Sequence, residues 1–283
     1  MRLRHYGLVL SYLALAGLLP GLSAGKEAGP KPNQLVLSYD TRLAGINLGD
    51  FKVIATFTGG AYKVRAHGEF SLLAGLAFKA TGQTASNGKL IAGNPQPARY
   101  TMKYVGSKKS ERRRIDFKGG AVSAVTIVPQ KKKKPHDVPL TPEQLQDVLD
   151  PLTAAFLSVR SNAPAGDLRV CNGTARVFEG KQRFDISLSP KRREKLGWRA
   201  PKAFSGRAAV CRVRYAPVSG HRPDHPGVQY MTENKDIEVW LVPAARFGLY
   251  VPYKILIPTA WGTGSIKLTG IRQSGQLQRA AVP

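Results

Sequence analysis

Apolar residues recur at every second position over most of this chain. Leu35, Leu37 and Tyr39 set the pattern, and Phe51, Val53, Ala55 and Phe57 repeat it. Gly59-Gly60 supplies a tight-turn signal before Tyr62 and Val64 resume the alternation. A second hairpin joins 112–118 to 121–128 through Gly119-Gly120, with further strands over 76–85 and 99–104. After a break the strands return over 168–178, 183–188, 208–215, 237–241, 251–257 and 265–269. No fixed period relates them, which excludes solenoids and propellers. Short strands linked by Gly, Pro and Asn predict a mainly β fold, an antiparallel sheet curled into a spiral or open barrel.

One segment changes period. Leu145, Val148, Leu149, Leu152, Phe156 and Val159 follow helical spacing, predicting a central α-helix over 141–159. Thr141 can cap it, Pro142 suits the first turn and Gln144 completes a capping box. Pro151 kinks this helix or starts a second one capped by Asp150. The helix separates an N-terminal β half (34–130) from a C-terminal one (168–270) within a single domain, 26–283.

Residues 1–25 are expected to be a cleaved signal peptide. Arg2 and Arg4 precede a run of roughly 14 apolar residues, shorter than the roughly 20 that span a bilayer. Pro20 ends the run, and Ser23, Ala24 and Gly25 suit a signal peptidase. No cysteine lies near for lipid attachment. Export to the periplasm follows.

That address changes the meaning of the charge. There are 43 basic and 18 acidic residues, a net +25. In the cytoplasm this would point to nucleic acid; export removes that partner. Anionic lipid, lipopolysaccharide or an acidic envelope polymer remains, against the plainer account that the charge only solubilises. The candidate contacts are Arg112, Arg113 and Arg114, the run Lys131, Lys132, Lys133 and Lys134, and Lys191, Arg192 and Arg193. Strand alternation sends Arg112 and Arg114 to one face and Arg113 to the other. Either the clusters converge on one surface or they are separate solvated loops. Any membrane contact is peripheral.

Cys171 and Cys211 are the two cysteines. In an oxidising compartment they are expected to pair, each on a strand; two buried free thiols are the alternative. No CxxC spacing poises either for redox catalysis. His221, Asp224 and His225 form an H-x-x-D-H string, but Pro223 and Pro226 interrupt the helix a zinc site needs, leaving a loop with polar histidines. No G-x-S-x-G occurs, and Gly262, Gly264 and Ser265 lack the following G-K-[ST] of a phosphate loop. No catalytic residue, metal or cofactor is assigned.

Several residues in order resemble a family of Gram-negative periplasmic proteins known as domain of unknown function 3108. They are Tyr39-Asp40 with Gly45 and Gly49, Tyr62-Lys63-Val64, Ser86-Asn87-Gly88, Pro97 with Tyr100, and Ile115-Asp116-Phe117. Asp150-Pro151-Leu152-Thr153-Ala154 is similar to its central helix. Cys171-Asn172-Gly173, Val177-Phe178-Glu179-Gly180 and Arg183-Phe184-Asp185 follow, then Cys211, Tyr215, Pro217 and Gly220. The resemblance implies the architecture of β-spiral envelope-integrity proteins and, more remotely, of half-barrel lipoprotein carriers. It brings no catalytic residues.

The expectation is a non-catalytic periplasmic protein of the cell envelope that binds an anionic or amphipathic envelope component, lipid or protein. An envelope hydrolase or a lipid or lipoprotein carrier is the alternative. Phe57, Phe78, Phe117, Leu149 and Phe156 either line a cleft between sheet and helix or, the preferred account, fill a packed core. The sequence does not fix the oligomeric state.

Overall fold

The computed structural model describes residues 33–72, 78–130, 136–197, 201 and 206–274. Among the described residues, thirteen strands form one antiparallel sheet. β1 (Asn33–Leu43), β2 (Ile46–Thr58), β3 (Ala61–Leu72), β4 (Phe78–Ile91), β5 (Asn94–Gly106), β6 (Ser110–Lys118) and β7 (Ala121–Val128) make an N-terminal meander. β8 (Gly173–Phe178), β9 (Arg183–Lys195), β10 (Arg207–Ser219), β11 (Glu238–Ala244), β12 (Leu249–Thr259) and β13 (Gly262–Ser274) make a C-terminal one. β1 pairs with β13, so the two meanders fuse into one ribbon whose free edges are β7 and β8. The sheet is curled and not closed, as the alternating pattern predicted.

The segment between β7 and β8 occupies the gap between those edges. Ala121 bridges Gln146, and Leu149 bridges Val177. The Leu149 N–H donates to Arg176 O at 2.8 Å, and the Phe178 N–H to Leu149 O at 2.9 Å. Edge strands otherwise expose unpaired backbone, so part of each edge is satisfied here without a β7–β8 ladder.

This pairing shortens the helix predicted over 141–159. Glu143–Leu145 form one 3-10 turn, 146–149 pass between the edges and bridge both, and α1 is only Pro151–Leu157. Asp147 sits at φ 50° between them, a conformation no continuous helix permits. Half of the predicted capping box survives, since Gln144 Oε1 accepts from the Thr141 N–H at 3.2 Å. Two further expectations are corrected. Residues 168–171 are a 3-10 turn instead of strand, so Cys171 ends that turn. Residues Pro226–Glu233 form a second helix, α2, where only loop was expected: Pro226 occupies its first turn and His225 Nδ1 accepts from the Gly227 N–H at 3.1 Å.

The main core lies inside the curl. Leu35, Leu37, Tyr39, Val53, Ala55, Phe57, Val64 and Ile115 face inward with Leu152 and Leu157 of α1. A second cluster covers the other face of β10–β12, with Val170, Cys171, Ala209, Cys211, Val239 and Leu241. Cys171 and Cys211 form a disulfide, fully buried in that cluster, that ties the 168–171 turn to β10. Closing a loop of 40 residues, it stabilises by about 4 kcal/mol on the loop-entropy argument. Among the described residues no helix is long and apolar enough to cross a membrane.

Candidate functional site

The helix α1 stands within the curl, with a different environment on each side. On one side Asp150 caps it from a wholly buried position. Its Oδ1 accepts the backbone N–H groups of Leu152 and Thr153, each at 3.0 Å. Its Oδ2 accepts the hydroxyls of Ser86 and Thr153, each at 2.7 Å. Tyr62 then donates to Thr153 Oγ1 at 3.2 Å. Tyr62, Ser86 and Asp150–Thr153 all belong to motifs read from the sequence, but their meeting in one network was not foreseen. Gly88 permits it: a Cβ there would lie 2.8 Å from the Tyr62 hydroxyl and 2.0 Å from Gln96 O. Burial raises the Asp150 carboxyl above its ordinary value, against the hydrogen bonds it accepts from Thr153, Ser86 and Leu152. Burial likewise pushes the Tyr62 phenol well up. Ser86, Asp150 and Thr153 are each at most 1% exposed.

Below this network, Arg113 of β6 reaches across to the β8–β9 turn. It forms ion pairs with Glu111 and Glu179 and donates to Glu179 O. Gly180, at φ 101°, makes room, because a Cβ there would sit 2.7 Å from Arg113 Cδ. The strand on one side of the gap is thereby clasped to the turn on the other.

The other side of α1 is open. Pro151, Ala154, Ala155 and Ser158 are small, and a cavity of about 960 Å3 lies between them and the C-terminal strands. This is at the upper end of the roughly 300–1,000 Å3 of small-molecule sites. Phe184, Ile186 and Leu188 of β9, Val213 and Tyr215 of β10, and Ile255 and Ile257 of β12 form its wall. Most of these side chains are half-buried: Val213 belongs to the second cluster, Ile186, Leu188, Ile255 and Ile257 pack against it, and the same side chains also face the cavity. Leu149 belongs to this cavity, whereas Phe57 and Phe117 are packed in the main core and Phe156 packs against it. The packed-core account therefore holds for those three aromatics, and the open space lies in the other half. The Phe78 side chain lies outside the described residues.

A second, shallower depression of about 1,400 Å3 lies over β2–β6. Register places Lys52, His67, Gln83, Lys103 and Arg112 in one cross-strand row, and Ile54, Arg65, Ala85, Thr101 and Arg114 in the next. Lys52, Arg65, Lys103 and Arg112 are exposed and form no ion pair with a described residue.

Of the candidate cations, Arg112 and Arg114 share this outer face and Arg113 points inward, as alternation required. Arg114 is engaged by Asp116 at 2.7 Å. Lys191 and Arg192 both bind Glu238, at 2.6 and 2.9 Å, and Arg193 donates to Gly166 O at 3.1 Å. These contacts, Arg192 foremost, lower the Glu238 carboxyl to about 2. Lys131, Lys132, Lys133 and Lys134 lie outside the described residues, as do residues 1–25, where a leader was expected. His221 lies in the expected loop but is buried, Asp224 pairs with Arg222 at 2.8 Å, and His225 caps α2. Among the described residues no cluster of three metal-ligating side chains occurs.

The buried Tyr62–Ser86–Asp150 network and the Arg113–Glu179–Gly180 clasp give the ordered motifs a shared structural basis. The sequence profile of a protein family of unknown function, DUF3108, matches residues 38–269. This chain belongs to the DUF3108 family. Its match covers both meanders, α1 and the disulfide. Among solved structures, a β-barrel-like protein of the DUF1849 domain of unknown function from Brucella abortus is similar at 10% identity and a TM-score of 0.48. That likeness covers 86% of this chain and 98% of the other. No curated protein matches.

Proposed function

We propose that this DUF3108 protein is a non-catalytic periplasmic component of the cell envelope that holds an amphipathic envelope molecule, a lipid or lipid-bearing chain, beside α1. The observation that carries this reading is the 960 Å3 cavity walled by half-buried aliphatic side chains. Such a wall gains roughly 25 cal/mol for each Å2 of apolar surface an occupant covers. The disulfide and the leader-like N-terminus support an oxidising, extracytoplasmic setting. Native mass spectrometry of protein purified gently from its own cells tests it. A reproducible extra mass identified as lipid is expected; a consistently clean apo mass contradicts it.

The unpaired cations over β2–β6 favour a second contact, with the phosphates of an anionic membrane or lipopolysaccharide surface. Flotation with anionic liposomes is expected at low salt and lost at high salt. Equal flotation with neutral liposomes would contradict it.

A further inference from the structure

The lining of the cavity beside α1 is mostly apolar, with charged side chains on the segments that precede and follow the helix. Arg160 follows α1 and lines the cavity together with Asn94 and Asn162. Its backbone bridges Leu249, the first residue of β12. Ile257, which also lines the cavity, lies eight residues further along that strand, about 26 Å at 3.3 Å per residue. Away from Arg160, β12 therefore contributes aliphatic side chains to the lining.

Arg160 is also unsatisfied. Its Nη1 is sealed from solvent and has no hydrogen-bond partner, and no described carboxylate pairs with it. Among the described residues the other buried or half-buried arginines are engaged: Arg113 with Glu111 and Glu179, Arg183 with Asp185 and Gln144 O, Arg192 with Glu238, Arg214 with Asn234 O and Arg222 with Asp224. Arg160 as a whole is half-buried, but a guanidinium nitrogen withdrawn from water without an acceptor carries a cost. Burial accordingly lowers its pKa. Arg176, exposed and also unpaired, lines the same cavity. Arg169 is occupied by Asp167. The lining carries one carboxylate, Asp147, which approaches the β6–β7 turn at Gly120.

We propose that the ligand is an anionic amphiphile, a single acyl chain bearing a carboxylate or phosphate head, with the head clamped by Arg160 and the chain laid along β12 toward Ile257. This rests on the reading of the cavity as a lipid site and adds the charge and the orientation of its occupant. The planar guanidinium suits a two-oxygen anion, which would supply the acceptors that Nη1 lacks.

Two probes of equal chain length separate the claims: hexadecanoate and hexadecanol, titrated calorimetrically into full-length mature protein stripped of lipid on a hydrophobic resin. Hexadecyl phosphate is the third arm and distinguishes a phosphate head from a carboxylate. The acid or the phosphate is expected to bind tighter than the alcohol by about 10- to 100-fold, and Arg160→Met to abolish that difference while leaving the alcohol unchanged. Arg160→Lys is expected to restore part of the difference, a result that loss of packing alone would not produce. Equal binding of acid and alcohol by the wild type, or unaltered selectivity in R160M, overturns the role of Arg160 and leaves the cavity reading intact. Failure of every probe to bind overturns both.

Discussion

Asp150 carries more than a helix cap. Its four accepted hydrogen bonds join α1 to β4 through Ser86 and to β3 through Tyr62. Asp150→Ala removes the cap and leaves two buried hydroxyls without their acceptor, a loss of about 2–4 kcal/mol. Urea denaturation checks this, and a loss under 1 kcal/mol would contradict it. The capping role was legible, because Asp-Pro before an apolar run is a local signal. The hydroxyl network was not, because Ser86 lies 64 residues away and its pairing depends on how the sheet curls. Alternation correctly separated Arg113 from its neighbours, yet nothing local marks Glu179 as its partner. Glu238 gives a pH signature. Its folded value of about 2 lies below the ordinary 4.5, so its contribution is complete above about pH 4.5 and lost as pH falls toward 2. With Arg192 partly exposed, the loss is on the order of 1–2 kcal/mol. Stability curves of wild type and Glu238→Gln are expected to converge as pH falls from about 4.5 toward 2; parallel curves over that window would contradict the assignment.

At the scale of elements, the gap between β7 and β8 is the weak line in the fold. No ladder joins these strands; the 146–149 segment and the Arg113–Glu179 clasp hold the gap instead. Glu179→Gln leaves the half-buried Arg113 one carboxylate short, at a cost of about 2 kcal/mol. Hydrogen exchange is expected to quicken in β8 and 146–149, with β2–β4 unchanged. Uniform quickening would show that the clasp is not local. Strand identity was largely legible from period two, and α1 from Asp150-Pro151. The overlong helix prediction failed because the 145–149 apolar residues satisfy helical spacing while their backbone is claimed by both sheet edges. α2 was missed for the opposite reason: two prolines read as breakers, although one of them opens the helix.

For the sheet as a whole, two meanders meet at β1–β13 and curl around a helix with one packed and one open side. Apolar composition says how much surface can be buried, and not which half leaves space. The aromatic residues that suggested a cleft fill the main core, and the space follows from Ala154, Ala155 and Ser158 facing aliphatic strands. That juxtaposition depends on the return of β8 to the far edge of the sheet. The central claim is that this space admits an apolar occupant. It is tested most directly by filling it: Ala155→Trp, at an exposed position of α1 that lines the cavity. The measurement is saturation of a polarity-sensitive naphthalene dye, with thermal melting as a check on folding. Wild type is expected to bind one dye per chain and A155W to lose that site with its melting temperature preserved. Equal saturable binding by a folded A155W would contradict the account.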